Sequence, residues 1–338
     1  RQHPRRLAPR PGIDTTRTVV PAAEEILGGY DPVLDHGFVS LSDYIGPDES
    51  IEQAARVSYG YGTRHSSQTR GLVRYLRRHR HTTPSEMVEL KFHCAMPMFV
   101  ARQWIRHRTV SVNEYSGRYS LMPLLFYTPD YEDFAVQSAS NRQGREGESA
   151  SREVYEEAVR RWAEVRRHSS DAYGWMVEED VARELARIDL PLSTYTLWYW
   201  KIDLHNLFHF LTLRADSHAQ WEIQEFARVM AGMMKRVAPL SYEAWLDYEF
   251  SGEHMSHGEL EALRGLIDAG SDRLCARDGT SLDIEALKGA GLSKREAIEL
   301  IEKLHPVERP DFELDLSEMR SPEEFQSRMQ EAVPGDFE

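Results

Sequence analysis

Cysteine is nearly absent from this 338-residue sequence. Cys94 and Cys275 stand far apart and neither belongs to a CxxC or CxxxxC pair, which gives no support to a disulfide framework or a cysteine-built zinc site. Long apolar runs are missing as well: no stretch approaches the roughly 18 residues that cross a bilayer. The Arg- and Pro-rich start, Arg1 to Pro11, is not followed by an apolar segment resembling a signal peptide, so the expectation is a cytoplasmic protein with no membrane. Positive charge is outnumbered, 41 Lys and Arg against 55 Asp and Glu. A net charge of −14 argues against non-specific attraction to nucleic acid or an anionic membrane. A dinucleotide fingerprint is also lacking, because Gly289-Ala290-Gly291 lies in a helical tail with no strand before it. A nicotinamide cofactor, if used, is held some other way.

What is present is a chain with 41% hydrophobic residues and seven Trp, enough for a buried core, and a basic segment inside an acidic protein. Between Arg64 and Arg118 eleven Lys and Arg face three acids, Glu86, Glu89 and Glu114. Such a segment suggests a local site for an anionic ligand, since guanidinium forks hold phosphate bidentately. The arginines of the helix expected over Gln68 to Arg80 read more simply as solvated.

Three regions are expected: an N-terminal extension, 1–35; a main domain, 36–251; and a helical and acidic extension, 252–338, whose end carries ten Asp and Glu against three Arg from Pro306 onward. In the main domain Gly37 to Leu41 reads as a strand and Ile51 to Ser58 as a helix. Met87 to Cys94 alternates Val88, Leu90, Phe92 and Cys94 with polar residues, the period of a half-buried strand, so Cys94 points to the core. Pro97 suits a helix start, and helical spacing from Met98 to Arg108 puts Gln103 and Arg106 on one face. Thr109 to Leu121 reads as a loop, Thr128 to Ser151 as a long surface connection, and Arg152 to Ser169 and Val177 to Arg187 as helices. Thr194 to Ile202 reads as a strand, and helical periodicity runs from Leu204 to Val237. There Ile223, Phe226, Met230 and Met233 are core rather than a cofactor box.

The chemistry concentrates in Arg106-His107-Arg108-Thr109-Val110-Ser111-Val112-Asn113-Glu114-Tyr115-Ser116-Gly117-Arg118-Tyr119. A helix end with guanidinium forks followed by a Ser-Gly-Arg turn can hold a phosphate: Gly117 lets the backbone approach, Ser116 donates a hydroxyl and Arg118 supplies charge. This string, Arg-His-Arg, seven residues, then Ser116, resembles the signature of flavin-dependent thymidylate synthases. Further strings resemble that family in order: His81-x-Thr83-Pro84-x-Glu86 and Arg102-Gln103 before it, Leu185-Ala186-Arg187-x-x-Leu190-Pro191-Leu192 and Leu213 through Ile223 after it. The resemblance covers about His36 to Phe250.

It implies an α/β fold with a central, largely antiparallel sheet and flanking helices, plus the helical C-terminal extension, assembled as a homotetramer with active sites between subunits. It implies methylation of dUMP to dTMP with FAD, NADPH and methylenetetrahydrofolate, and dUMP and a folate as substrates. Carried over by position, Ser58, Thr83, Glu86, Arg106, His107, Arg108 and Glu114 are the FAD contacts. Asp203, His205 and His209 join them, at positions where many members have Asn-x-Arg and a further Asn. Gln103, Trp104, Ile105, Arg106, Glu114, Tyr115, Ser116, Gly117, Arg118, Arg187 and Arg214 are the dUMP contacts. Arg214 resembles the activating residue that stabilises charge on the uracil. His205 and His209, four apart with Asp203, Asp216 and His218 nearby, leave one alternative, a metal-dependent hydrolase acting on a phosphorylated substrate. In the main reading no metal is expected.

Overall fold

The structure is a computed structural model that describes residues 18–57, 69–138, 144–256, 283–290 and 311–321, with scattered positions between 258 and 327. Ser58 and Cys275 lie outside the described residues, as does most of the helix expected over Gly258 to Asp268. The chain divides into two compact units, Arg1–Tyr242 with Phe312–Glu338, and Glu243–Asp311.

The first unit is built on a five-stranded antiparallel sheet in the order β1-β2-β3-β7-β4: β1 (Asp31–Val33), β2 (Gly37–Ile45), β3 (Glu89–Pro97), β4 (Ser111–Glu114) and β7 (Tyr195–Asp203). The alternation in β3 sets its register on β7. Phe92 lies opposite Trp200 and Cys94 opposite Trp198, all buried on one face. His93 stacks on Tyr199 at 4.5 Å on the other, where Lys201 Nζ donates to Glu89 Oε1 at 2.8 Å. Cys94 is therefore a core residue, and burial holds its thiol well above its ordinary pKa.

Helices cover the apolar face. The expected run from Leu204 to Val237 is two helices, α7 (Leu204–Arg214) and α8 (Trp221–Val237), separated by a turn in which Ala219 N donates to Asp216 O. In α7 Leu207, Phe208 and Leu211 are buried; in α8 Ile223, Phe226, Met230 and Met233 are fully buried, as core. Trp104, the last residue of α4 (Met98–Trp104), sits at the heart of this layer: stacked on Phe210 at 5.2 Å, edge-on to Trp198 and Trp200, and 5.7 Å from Phe226.

Elsewhere the structure departs from the pattern reading. The two helices expected between Arg152 and Arg187 are one long helix, α5 (Arg152–Glu178), and a short α6 (Arg183–Ala186); Val181 N closes the long helix onto Met176 O. The connection at 128–151 contains a two-stranded hairpin, β5 (Ala135–Gln137) and β6 (Arg145–Ser149).

Described residues of both terminal regions pack on the sheet unit. Ala23 and Ile26 are buried beside α1 (Pro21–Glu24), and Tyr30 makes a two-hydrogen-bond bridge with Arg320. Phe312 is buried and its N–H donates to Tyr242 Oη at 3.1 Å. Leu314 fills the space over Gly232, where an added Cβ would stand 3.1 Å from its Cγ. The acidic tail thus returns to the sheet unit, using apolar residues set between its acids. Phe312→Ala should accordingly cost about 3 kcal/mol, a typical value for a buried Phe, read as a lowered urea midpoint. An unchanged midpoint would show that the return segment does not hold the unit together.

Candidate active site

Helix α4 was expected to run to Arg108, but it ends at Trp104. Its carbonyls are then used in tighter turns, Arg106 N donating to Gln103 O and His107 N to Trp104 O at 3.0 Å. Gln103 and Arg106 consequently share no helical face. The chain tightens because His107 turns inward: it is only 9% exposed, its ring edge-on to Phe210 at 4.9 Å and 5.9 Å from His209. The indole of Trp104, expected at the substrate, is sealed in the core, so what Trp104 gives this site is the position of the residues that follow it.

Helix α7 brings Arg214 to the same place. Asp203 caps its start, accepting from Asn206 N at 2.9 Å and Asn206 Nδ2 at 2.6 Å, while Leu204 N donates to Val88 O, beside the 3-10 turn Thr83–Met87 that carries Thr83 and Glu86. Both oxygens of Asp203 are thus spent on the helix start, which makes it a capping residue rather than a free ligand group. Three turns later Arg214 Nε donates to His107 Nε2 at 2.9 Å. That bond requires a lone pair on Nε2, so the imidazole is neutral with its proton on Nδ1. Burial, the Arg214 charge and His209, in that order, push His107 down to about 4, which keeps it neutral. Burial also lowers the Arg214 pKa.

The signature's second half, expected as a loop from Thr109, begins with strand β4. Glu114 lies opposite Trp198, its Oε1 accepts from Thr196 Oγ1 at 2.8 Å, and Tyr115 N donates to Leu197 O at 2.7 Å. Tyr115 Oη donates to Leu121 O, and Ser116 Oγ accepts from Arg118 N at 3.3 Å. Gly117 is needed here for packing: an added Cβ would stand 2.5 Å from Met122 Sδ and 3.1 Å from Arg187 Cδ. Gly117 and Arg187 therefore meet, and Arg118 Nε pairs with Glu184 at 3.0 Å. Gln103 Nε2 donates to Gln220 Oε1, a partner that pattern reasoning did not single out; nor did it single out Thr196 or Phe210.

Two groups result, His107 with His209 and Arg214, and Tyr115 to Arg118 with Arg187. Among the described residues no hydrogen bond or ion pair joins them within the chain. Thr83, Arg106, Arg108 and Glu114 are exposed, and Ile105, Glu86, His205 and Arg187 are half-buried.

Charge matching sets these arginines apart. Along α5, Arg160, Arg161 and Arg167 each pair with an acid three or four residues away. Among the described residues Arg106, Arg108, Arg187 and Arg214 have no carboxylate partner. For Arg214, half-buried and bonded among the described residues to a neutral ring, that leaves a cation without a paired charge there. The arrangement offers anions a set of uncommitted guanidinium groups. It does not assemble a metal centre: among the described residues no three His, Cys, Asp or Glu side chains stand together as ligands, and His218 pairs with Asp216 instead. The alternative of a metal-dependent hydrolase has no cluster to rest on.

Residues 40–240 match the family model described as thymidylate synthase complementing protein. The chain is 49% identical over 267 residues to a flavin-dependent thymidylate synthase of Rickettsia bellii, covering 75% of this chain and 90% of that protein. It is 47% identical over 294 residues to the one of Ehrlichia ruminantium, covering 86% and 93%. Among solved structures it resembles a UMP/dUMP methylase, PolB from Streptomyces cacaoi bound with 5-Br UMP, with 32% identity and a TM-score of 0.59 over 65% of this chain and 98% of that one. The uncommitted guanidinium groups of Arg106, Arg108, Arg187 and Arg214 and these similarities agree: the chain belongs to the flavin-dependent thymidylate synthases, FAD-dependent methyltransferases.

Proposed function

We propose that the chain is a cytoplasmic, homotetrameric enzyme that converts dUMP to dTMP, taking its one-carbon unit from methylenetetrahydrofolate and its reducing power from NADPH. FAD, once reduced by NADPH, would supply the hydride that completes the methyl group. The observation that carries this reading is Arg214, a half-buried cation with no carboxylate partner, held through Nε by neutral His107 so that its two amino groups remain for a ligand.

In this reading Arg214 stabilises negative charge developing on the uracil ring as its C5 becomes nucleophilic, an electrostatic task that a preorganised guanidinium performs without reorganising. Arg187 and Arg118, beside Gly117 and Ser116, take the substrate phosphate, with Gln103, Ile105, Glu114 and Tyr115 around the nucleoside. The exposed cations Arg106 and Arg108 suit the flavin pyrophosphate, with Ser58, Thr83, Glu86, His107, Glu114, His205 and His209 completing that side. The donor set fits both groups, since each brings phosphate charge to arginines of which Arg106, Arg108 and Arg187 have no carboxylate partner among the described residues and Arg118 has Glu184. Because the two halves of the site are not bonded to each other within one chain, and β4 is an edge strand with all four residues exposed, we infer that another copy completes the site and covers that edge.

A cysteine nucleophile is not part of the scheme. Cys94 is fully buried with a strongly raised pKa, so Cys94→Ala should keep dTMP formation in a folded protein; a folded but inactive variant would reinstate the thiol. Arg214→Ala should lower single-turnover dTMP formation about a hundredfold at saturating dUMP, about 3 kcal/mol, with flavin content retained. Near-normal turnover would remove Arg214 from the chemistry.

The His107 shift adds a pH dependence. Its folded pKa, about 4, lies below the ordinary value of 6.5, so the unfolded chain takes up the proton first as pH falls. The contribution of neutral His107 is complete above about 6.5 and is lost between there and 4. Wild type should therefore lose about 2 to 3 kcal/mol relative to His107→Asn between pH 7 and 4, measured by urea unfolding of both proteins. A constant difference would mean that His107 titrates normally.

A further inference from the structure

A cavity of about 460 Å³, within the size range of small-molecule sites, is lined by none of the residues assigned above to dUMP or the flavin. Its walls are aromatic: Phe99 and Tyr127, 5.6 Å apart, and Phe134 and Trp162, edge-to-face at 5.8 Å. Pro129 and Pro191 complete the apolar lining. The elements that meet here are the start of α4, the β5–β6 hairpin, α5 and the first turn of α8.

The charged groups in the cavity are not equivalent. Arg145 is matched: its Nη2 is 3.2 Å from Glu222 Oε1, its Nη1 donates to Asp133 O at 2.6 Å, and its guanidinium lies 5.1 Å from the Trp221 ring. Glu222, buried, also accepts from Gln220 Nε2 and Tyr127 Oη, so it has little left for a ligand. Arg166 is different. Its guanidinium donates to neutral oxygens, Thr128 Oγ1 at 2.6 Å and the Tyr127 carbonyl, and among the described residues no carboxylate pairs with it. Asp35, whose charge it feels, is occupied by Tyr195 Oη at 2.6 Å and Thr128 N at 2.9 Å. Burial lowers the Arg166 pKa, and the Asp35 charge opposes that shift only in part. Its Cζ lies 5.9 Å from the Trp162 ring centre, so the same guanidinium borders an aromatic wall.

We propose that this cavity is a second ligand site, separate from the dUMP and flavin residues, which takes a planar aromatic molecule carrying one acidic group: the ring lies among Phe99, Tyr127, Phe134 and Trp162, and the acid meets Arg166. A flat ring gains area and edge-to-face contact from walls of this kind, and the acid supplies the charge that Arg166 lacks. A volume of about 460 Å³ suits a small molecule, not a macromolecule.

The test is calorimetric titration of the full-length protein with 2-naphthoate, 2-naphthyl phosphate and uncharged 2-naphthalenemethanol, with and without saturating dUMP. At least one acid should bind, the alcohol about tenfold more weakly, and dUMP should not displace the acid. Arg166→Gln should weaken the acid about tenfold. Because Arg166 also supports Thr128 and the Tyr127 carbonyl, Phe134→Ala on the hairpin is a second probe and should weaken it to a similar degree. The proposal is overturned if neither acid binds, if the alcohol binds as well as the acids, if neither variant changes the affinity, or if dUMP abolishes binding. The last result would assign the probe to the substrate site and leave the proposed enzyme activity standing.

Discussion

The burial of Trp104 is the constraint on which the candidate site depends. One indole touches Phe210 of α7, Phe226 of α8, and Trp198 and Trp200 of β7, so a single residue fixes three elements around the end of α4. The backbone leaving Trp104 can then only turn, and within three residues it has placed His107 against Phe210. Because Phe210 and Arg214 are one helical turn apart on α7, the packing that locates the imidazole also locates its guanidinium partner. The apolar core thereby sets the polar geometry, and the 2.9 Å bond between Arg214 and His107 follows from it.

Charge is distributed by the same logic. On the long surface helix α5 the exposed Arg160, Arg161 and Arg167 are neutralised locally, at i to i+3 and i+4, where such pairs contribute little but maintain solubility. At the signature Arg106 and Arg108 have no acid beside them among the described residues, even though the chain as a whole has an excess of acids, and only Arg118 pairs with one, Glu184. Leaving Arg214 half-buried beside a neutral ring costs stability in the free chain, a cost that evolution tolerates where the missing charge arrives with a ligand. Glu114, the acid within the signature itself, is tied to Thr196 rather than to an arginine.

What could be read from residues alone followed periodicity. Strand β3, the core orientation of Cys94 and the methionine ladder of α8 are all set by alternation or by helical spacing strong enough to survive folding. The misplaced boundaries have tertiary causes. Helix α4 stops at Trp104 because His107 is drawn into the core, which no local propensity encodes. Strand β4 carries the polar string Ser111-Val112-Asn113-Glu114, which has no buried face to announce it and is a strand only because β7 offers a free edge. The tail's return rests on Phe312 and Leu314 scattered among acids, too sparse a pattern to read as a docking segment. The signature was legible as a cluster of chemistry, but the pairing of residue 107 with residue 214 was not, since it depends on two elements more than a hundred residues apart.

Gly117 shows how motif and packing can be confused. Read alone, a Ser-Gly-Arg turn suggests a backbone opened to a phosphate, and a glycine would serve that purpose. In the fold, Met122 and Arg187 occupy the space a Cβ would need, so the glycine is already required without any ligand. The two demands are compatible, and they converge on Arg187: a larger residue at 117 would push against its Cδ and displace the guanidinium beyond it. Arg214 carries a comparable double duty, Nε to His107 and amino groups outward, which a planar fork can satisfy at once. A lysine, a point charge on a flexible stem, could meet one demand or the other but could not hold both directions in one rigid plane.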